Sequence, residues 1–200
     1  MRYRWGLAMV LAVLAGVSHV KGVYGADDLY QVDPSHTSVN FMVRHLAIYK
    51  VRGQFHKFAG TIRYDQADVT QSALEGTIQV DSIDTEHAKR DNDLRGEQFF
   101  DAEHFPTITF ASQRVEKRDA GYVLIGTMTL HGVSKEVAIP FSLTGPVVHL
   151  GKTLLGFEAS FEINRQDFGI TYAKVMDSGG LVVGNTVHIE LSGRAVKQAP

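Results

Sequence analysis

The 200-residue chain contains no cysteine. Disulfides, thiolate metal sites and lipid attachment through an N-terminal cysteine are therefore excluded, and stability has to come from sheet pairing and apolar burial. A long hydrophobic run is also missing. The longest, Leu7 to Val17, has the length of a signal-peptide core and falls short of the roughly 20 apolar residues of a membrane span. Arg2 and Arg4 precede it, and Val23-Tyr24-Gly25 places a small residue before a cut ahead of Ala26. Residues 1–25 are thus expected to be a cleaved signal peptide and residues 26–200 a single exported domain. The leader holds three basic residues (Arg2, Arg4, Lys21) and no acidic one. Removing it leaves 17 Lys and Arg against 22 Asp and Glu, a net charge of −5. That balance argues against nucleic-acid binding, which rests on basic surface. Pro/Ser linkers, charge blocks and internal repeats are absent as well, so nothing divides the mature chain.

What is present is alternation. Val39, Phe41 and Val43 are interleaved with Ser38, Asn40, Met42 and Arg44. Leu74, Gly76, Ile78 and Val80 alternate with polar neighbours, as do Val137, Ile139, Phe141 and Leu143. Leu155, Phe157, Ala159, Phe161 and Ile163 face away from Glu158, Ser160, Glu162 and Asn164, and Val187, Ile189 and Leu191 repeat the pattern. This period of two marks strands with one wet face. Tyr122–His131 and Thr107–Arg114 also read as strands. Turn residues separate them at 119–121, His131-Gly132, Gly145-Pro146, Gly179-Gly180 and Gly184-Asn185. Pro140 predicts an edge or bulge. One helix is expected over about Glu86–Leu94, capped by Asp84 or Thr85 and ended by Gly96, and a short helical turn near Leu46–Tyr49. Many antiparallel strands with one apolar face each predict a mainly β domain, either a closed up-and-down barrel or a sandwich. Phe41, Val43, Phe110, Phe141, Phe157 and Phe161 then line its interior. Pattern alone leaves open whether that interior is a dry core or a ligand cavity.

Several segments in order resemble the YceI family of polyisoprenoid-binding, lipocalin-like proteins. They are Tyr30-Gln31-Val32-Asp33-Pro34-Ser35-His36-Thr37-Ser38-Val39-Asn40-Phe41, Val43-Arg44-His45, Val51-Arg52-Gly53-Gln54-Phe55 and Phe58-Ala59-Gly60. Ser82-Ile83-Asp84-Thr85, Arg90-Asp91, Leu94 and Phe99-Phe100-Asp101 follow. Phe105 to Phe110, Gly126 to Val133, Arg165-Gln166-Asp167-Phe168-Gly169-Ile170 and Val187-His188-Ile189 complete the set. One departure is Asp93, where the family usually has a histidine before the helical leucine. The resemblance implies an antiparallel, lipocalin-like β-barrel of about eight strands with one short helix. It also implies a lumen that holds a polyisoprenoid, an isoprenoid quinone or a fatty chain, with Phe168 and Tyr172 added to the lining. His36, His45 and Arg165 are then the candidates for a polar headgroup. No cofactor is expected.

Candidate chemistry is sparse. His36, His45, His56, His104 and His131 show no metal-ligand spacing, so no metal is expected. Asp84, Arg90, Asp91 and Arg95 either form an acid-base site or pin the helix, whose dipole suits Asp84 at its start and Arg95 at its end. Ser35 lacks a nucleophile elbow. The expectation is a lipid carrier without catalytic residues, touching membranes transiently and compatible with a homodimer. The alternatives are an enzyme acting on an isoprenoid through Arg90, Asp91 or Arg165, and a dry barrel that docks a partner.

Overall fold

The computed structural model describes residues 28–119 and 121–199; the expected leader lies outside them. Ten strands form one sheet: β1 (Asp28–His45), β2 (Tyr49–Phe55), β3 (Phe58–Tyr64), β4 (Ala73–Gln79), β5 (Ile83–Asp84), β6 (Thr107–Arg118), β7 (Gly121–Leu130), β8 (Val133–His149), β9 (Lys152–Asn164) and β10 (Val183–Lys197). The helix α1 (Ala88–Arg95) lies between β5 and β6. Every pairing is antiparallel, and β1 pairs with β10 to close the sheet.

Ten strands occupy eight positions. β3 pairs with Asp28–Gln31 of β1 and β2 with Asn40–His45, so β2 and β3 lie end to end along one long neighbour. β4 pairs with β3, and the two-residue β5 with β2. The result is a closed eight-strand up-and-down barrel, the closure that removes free sheet edges. The strands extend well beyond their alternating cores because pairing, and not apolar content, sets their length.

β1 is kinked. Its register with β10 shifts between Val32 and Thr37, across Asp33-Pro34-Ser35-His36. The Asp33 carboxylate accepts from the Ser35 hydroxyl at 2.6 Å and from Arg194 at 2.9 and 3.0 Å. The Ser35 hydroxyl, with Arg194 next, holds that carboxyl well below the usual carboxylate range. The opening motif therefore builds a bulge pinned to β10.

Three expectations are corrected. Leu46 and Ala47 take positive φ in a tight turn, so no helical turn forms there. α1 starts later than predicted, and His87 caps it by accepting from the Arg90 N–H. Asp84 is engaged elsewhere, by His56 at 2.9 Å and the Glu86 N–H at 2.7 Å. Pro140 does mark an edge: β8 pairs with β7 there, and its pairing with β9 begins only at Phe141.

Candidate functional site: the barrel lumen

Inward side chains do not fill the barrel. A cavity of about 280 Å³ runs along its axis, walled by residues from nearly every strand. From Phe157 to Ile163, β9 alone follows it for about 20 Å at about 3.3 Å per residue. Phe41, Val43, Phe110, Phe141, Phe157 and Phe161 line it as predicted. Two of the rings lie where glycine leaves room. A Cβ on Gly53 would sit 2.3 Å from Phe41 Cζ, and one on Gly126 2.5 Å from Phe110 Cζ. Both rings are thereby laid along the wall and the centre is left open.

Three apolar clusters bound the cavity, one of them formed by Val39, Phe55 and Ile83. Beside β6–β9 pack Val115, Leu124, Met128, Leu130, Ile139, Phe161, Phe168 and Ile170. At the end near the chain termini, Tyr30, Ile62, Tyr64, Leu155 and Ala195 form a fully packed plug. The Tyr30 hydroxyl there is buried without a partner among the described residues, and burial raises its pKa. The opposite end is closed by Leu94, Phe99 and Phe100, which also face the cavity. Sequence patterning did not single these out as lining: α1 carries no apolar stripe, and Phe99-Phe100 lies outside any strand. An aromatic pair just after a polar helix was the available signal.

Arg165 reaches the cavity from the loop between β9 and β10 and is only 4% exposed. Among the described residues no carboxylate pairs with it. Nε donates to Gly184 O at 3.0 Å and Nη1 to Ile170 O at 2.6 Å. Nη2 donates to Tyr172 O at 2.6 Å, Asn185 Oδ1 at 2.9 Å and Val183 O at 3.2 Å. Burial alone lowers its pKa. The guanidinium thus ties down the crossover between β9 and β10 while placing a buried positive charge at one end of an apolar chamber.

The other predicted residues fall elsewhere. Phe168 is buried in the adjoining cluster and does not border the cavity. Tyr172 stacks on Phe99, ring centroids 4.7 Å apart, over a separate surface depression with Asn92, Asp93 and Gly96. His36 belongs to the β1 bulge: its half-exposed ring is held 3.0 Å from Asp33 and 2.9 Å from Ser35, away from the lumen. His45 stops short of the lining at the end of β1. Its ring packs on Tyr49 at 5.1 Å, and its Nδ1 is buried without a partner among the described residues.

Arg90 and Asp91 also face away from the cavity. The buried Asp91 carboxylate accepts from the N–H and hydroxyl of Thr85. Arg90 bonds the same Thr85 hydroxyl and its carbonyl, both at 2.7 Å. Arg95 reaches back to Asp81 O and Ile83 O. Arg90 and Asp91 fasten the start of α1 to Thr85 just before it, and Arg95 fastens its end to β5 and the turn preceding β5. Among the described residues no three His, Asp or Glu side chains are grouped as metal ligands.

A YceI-like domain profile matches residues 30–195. The chain belongs to the YceI-like family. A UPF0312 protein of Yersinia pestis (strain Pestoides F) is 37% identical over 145 residues, covering 71% of this chain and 76% of that protein. A relative from Yersinia enterocolitica is 35% identical over the same span. Among solved structures, the Campylobacter jejuni YCEI protein superposes with a TM-score of 0.68 at 29% identity, covering 78% of this chain and 90% of that one. Burkholderia cenocepacia BcnA superposes at 0.71 with 23% identity, covering 82% and 98%. The YceI-like domain is thus the whole barrel described above.

Proposed function

We propose that this protein binds a long apolar lipid, such as a polyisoprenoid, an isoprenoid quinone or a fatty chain, in its lumen and carries or stores it in the periplasm. The observation that carries the reading is the elongated apolar cavity inside a closed barrel. A polyisoprenoid binding domain from Saccharophagus degradans shares the fold, with a TM-score of 0.64 at 14% identity over 84% of this chain and 98% of that one. A chain molecule suits such a wall, since each buried CH₂ gains about 0.8 kcal/mol before association costs are subtracted. Phe rings place no polar demand on the guest, so length and apolarity select the ligand. Arg165 stands at one end with its guanidinium engaged by five acceptors of the crossover, so the wall there remains apolar toward the guest. The reading uses no reaction chemistry: the acid-base candidates Arg90 and Asp91 are spent on Thr85.

Native mass spectrometry of protein purified without detergent, followed by lipid extraction, tests the reading. A retained lipid at one per barrel is the expected result; a barrel that stays empty when exposed to isoprenoid and fatty lipids refutes it. N-terminal sequencing of periplasmic material tests the location, with Ala26 the expected first residue and an intact Met1 in the membrane fraction the contrary one.

A further inference from the structure

The hairpin joining β8 and β9 carries apolar surface that folding does not use. Val147, Val148 and Leu150 are 54%, 76% and 88% exposed. Leu150 and Gly151 form its two-residue turn with φ of 48° and 73°. Such a turn favours Asn-Gly or Asp-Gly, and a bulky leucine with positive φ is disfavoured there. The hairpin between β7 and β8 has the same geometry at His131 and Gly132, with φ of 51° and 72°. There the strain has a local reason, because the His131 ring packs on Phe105 at 4.7 Å. Leu150 has no such contact. It is both strained and exposed.

Along the hairpin itself the charge is one-sided. Between Glu136 and Glu158 the only charged residue is Lys152, next to the turn, with His149 on its other side, in a chain whose 22 Asp and Glu slightly outnumber its 20 Lys and Arg. Beyond Phe141, β8 has no strand partner on its β7 side among the described residues, so the tip extends past that pairing. That open edge is poorly suited to a second copy of the chain. Its register breaks between Thr144 and Val147, and Pro146 has no N–H to offer a neighbouring strand.

We infer that this hairpin tip docks the protein on an anionic lipid bilayer. Val147, Val148 and Leu150 enter the interfacial zone, while Lys152 and His149 face the phosphates. The hairpin's root, through Leu143 and Phe157, packs on the plug of Tyr30, Ile62, Tyr64, Leu155 and Ala195, so docking brings the plugged end of the barrel toward the membrane. The inference stands on the tip's own surface and does not require the lumen to be loaded.

Flotation of the full mature protein with large unilamellar vesicles tests it. The vesicles are phosphatidylethanolamine with phosphatidylglycerol, and phosphatidylcholine alone as the neutral case. The wild type is expected to float with the anionic vesicles, less so at high salt, and hardly with the neutral ones. The V148D/L150D variant is expected to bind at least about tenfold more weakly, losing the insertion of two side chains, with an unchanged melting temperature. L150N separates docking from folding, because it suits the turn: it should bind vesicles more weakly while melting no lower. Equal flotation of wild type and V148D/L150D overturns the inference, as does a wild type that never floats. A wild-type dimer in light scattering that dissociates in V148D/L150D also overturns it, in favour of a second copy. Lipid retention in the lumen is measured on the same samples, so an empty lumen refutes the carrier reading alone.

Discussion

Filling the lumen should stabilise the protein and abolish its ligand capacity at once. Ala159 lies in register with Phe141 on β8 and Leu191 on β10, faces the cavity, and is flanked on its own strand by Phe157 and Phe161. In Ala159→Phe the new ring projects into a void of about 280 Å³. Burying a phenyl ring is worth about 1.5–3 kcal/mol. Ordering it and imperfect fit reduce the net, leaving the range of about 0.5–2 kcal/mol typical of cavity filling. For a domain of this size that raises the melting temperature of delipidated protein by about 2–4 °C per kcal/mol. A dry, fully packed interior responds with the opposite sign, since overpacking costs about 1–3 kcal/mol. The two cases thus differ by several kcal/mol. Urea and thermal melts of delipidated wild type and Ala159→Phe give the sign, and lipid extraction gives the occupancy. Ala159→Leu repeats the test with a smaller group. If both variants are destabilised by more than about 1 kcal/mol and lipid retention is unchanged, the cavity is not the binding site and the reasoning fails.

Arg165→Met should lose at least about 3 kcal/mol in denaturant melts, because several buried carbonyls lose their donor at about 1–3 kcal/mol each. Amide exchange should speed up first between Ile170 and Val183, and Arg165→Lys should recover only part, as one ammonium cannot span all five acceptors. Gly53→Ala pushes the Phe41 ring into the lumen and should cost about 1–3 kcal/mol, with reduced lipid uptake in extraction assays. The Asp33 carboxyl titrates lower in the folded state than its unfolded value of about 3.9. Its contribution is therefore fully present above that pH and fades as acid approaches the folded value. Urea melts from pH 6 to pH 2.5 should show Asp33→Asn weakened at pH 6 and the gap to wild type shrinking at the acid end; a constant gap contradicts the assignment.

Strand identity was legible wherever one face alternates over several residues, as from Leu155 to Ile163, where every inward residue is inward in the structure. The six aromatic and aliphatic wall residues named on that basis all reach the cavity. Contacts distant in sequence were not legible. The Asp33–Arg194 ion pair joins the first strand to the last, and nothing local to Asp33 announces it. His36 was a headgroup candidate, but its ring is tied to Asp33 and Ser35 within a bulge. The cap on α1 was misread because Asp84 and Thr85, both good capping residues, are each engaged by another partner. Arg165 was read as a headgroup candidate or a structural residue; its role as the fastener of a whole crossover depends on acceptors from residues 170–185 that no spacing rule predicts.

The pairing of β1 with β10 has a consequence for how the barrel comes into being. Asp33 and Arg194 are 161 residues apart, and every contact of that seam spans nearly the entire domain. Loop-closure entropy must be met before such contacts give anything back, which places this topology among slow folders. The first strand to emerge from synthesis or a translocation pore has no permanent neighbour on one side until the last has followed. Until then the curled sheet presents two unsatisfied edges, β1 and β9, and its apolar inner face. Loss of β10, residues 183–197, would leave that same open intermediate as the end state, prone to self-association, not a slightly weaker barrel.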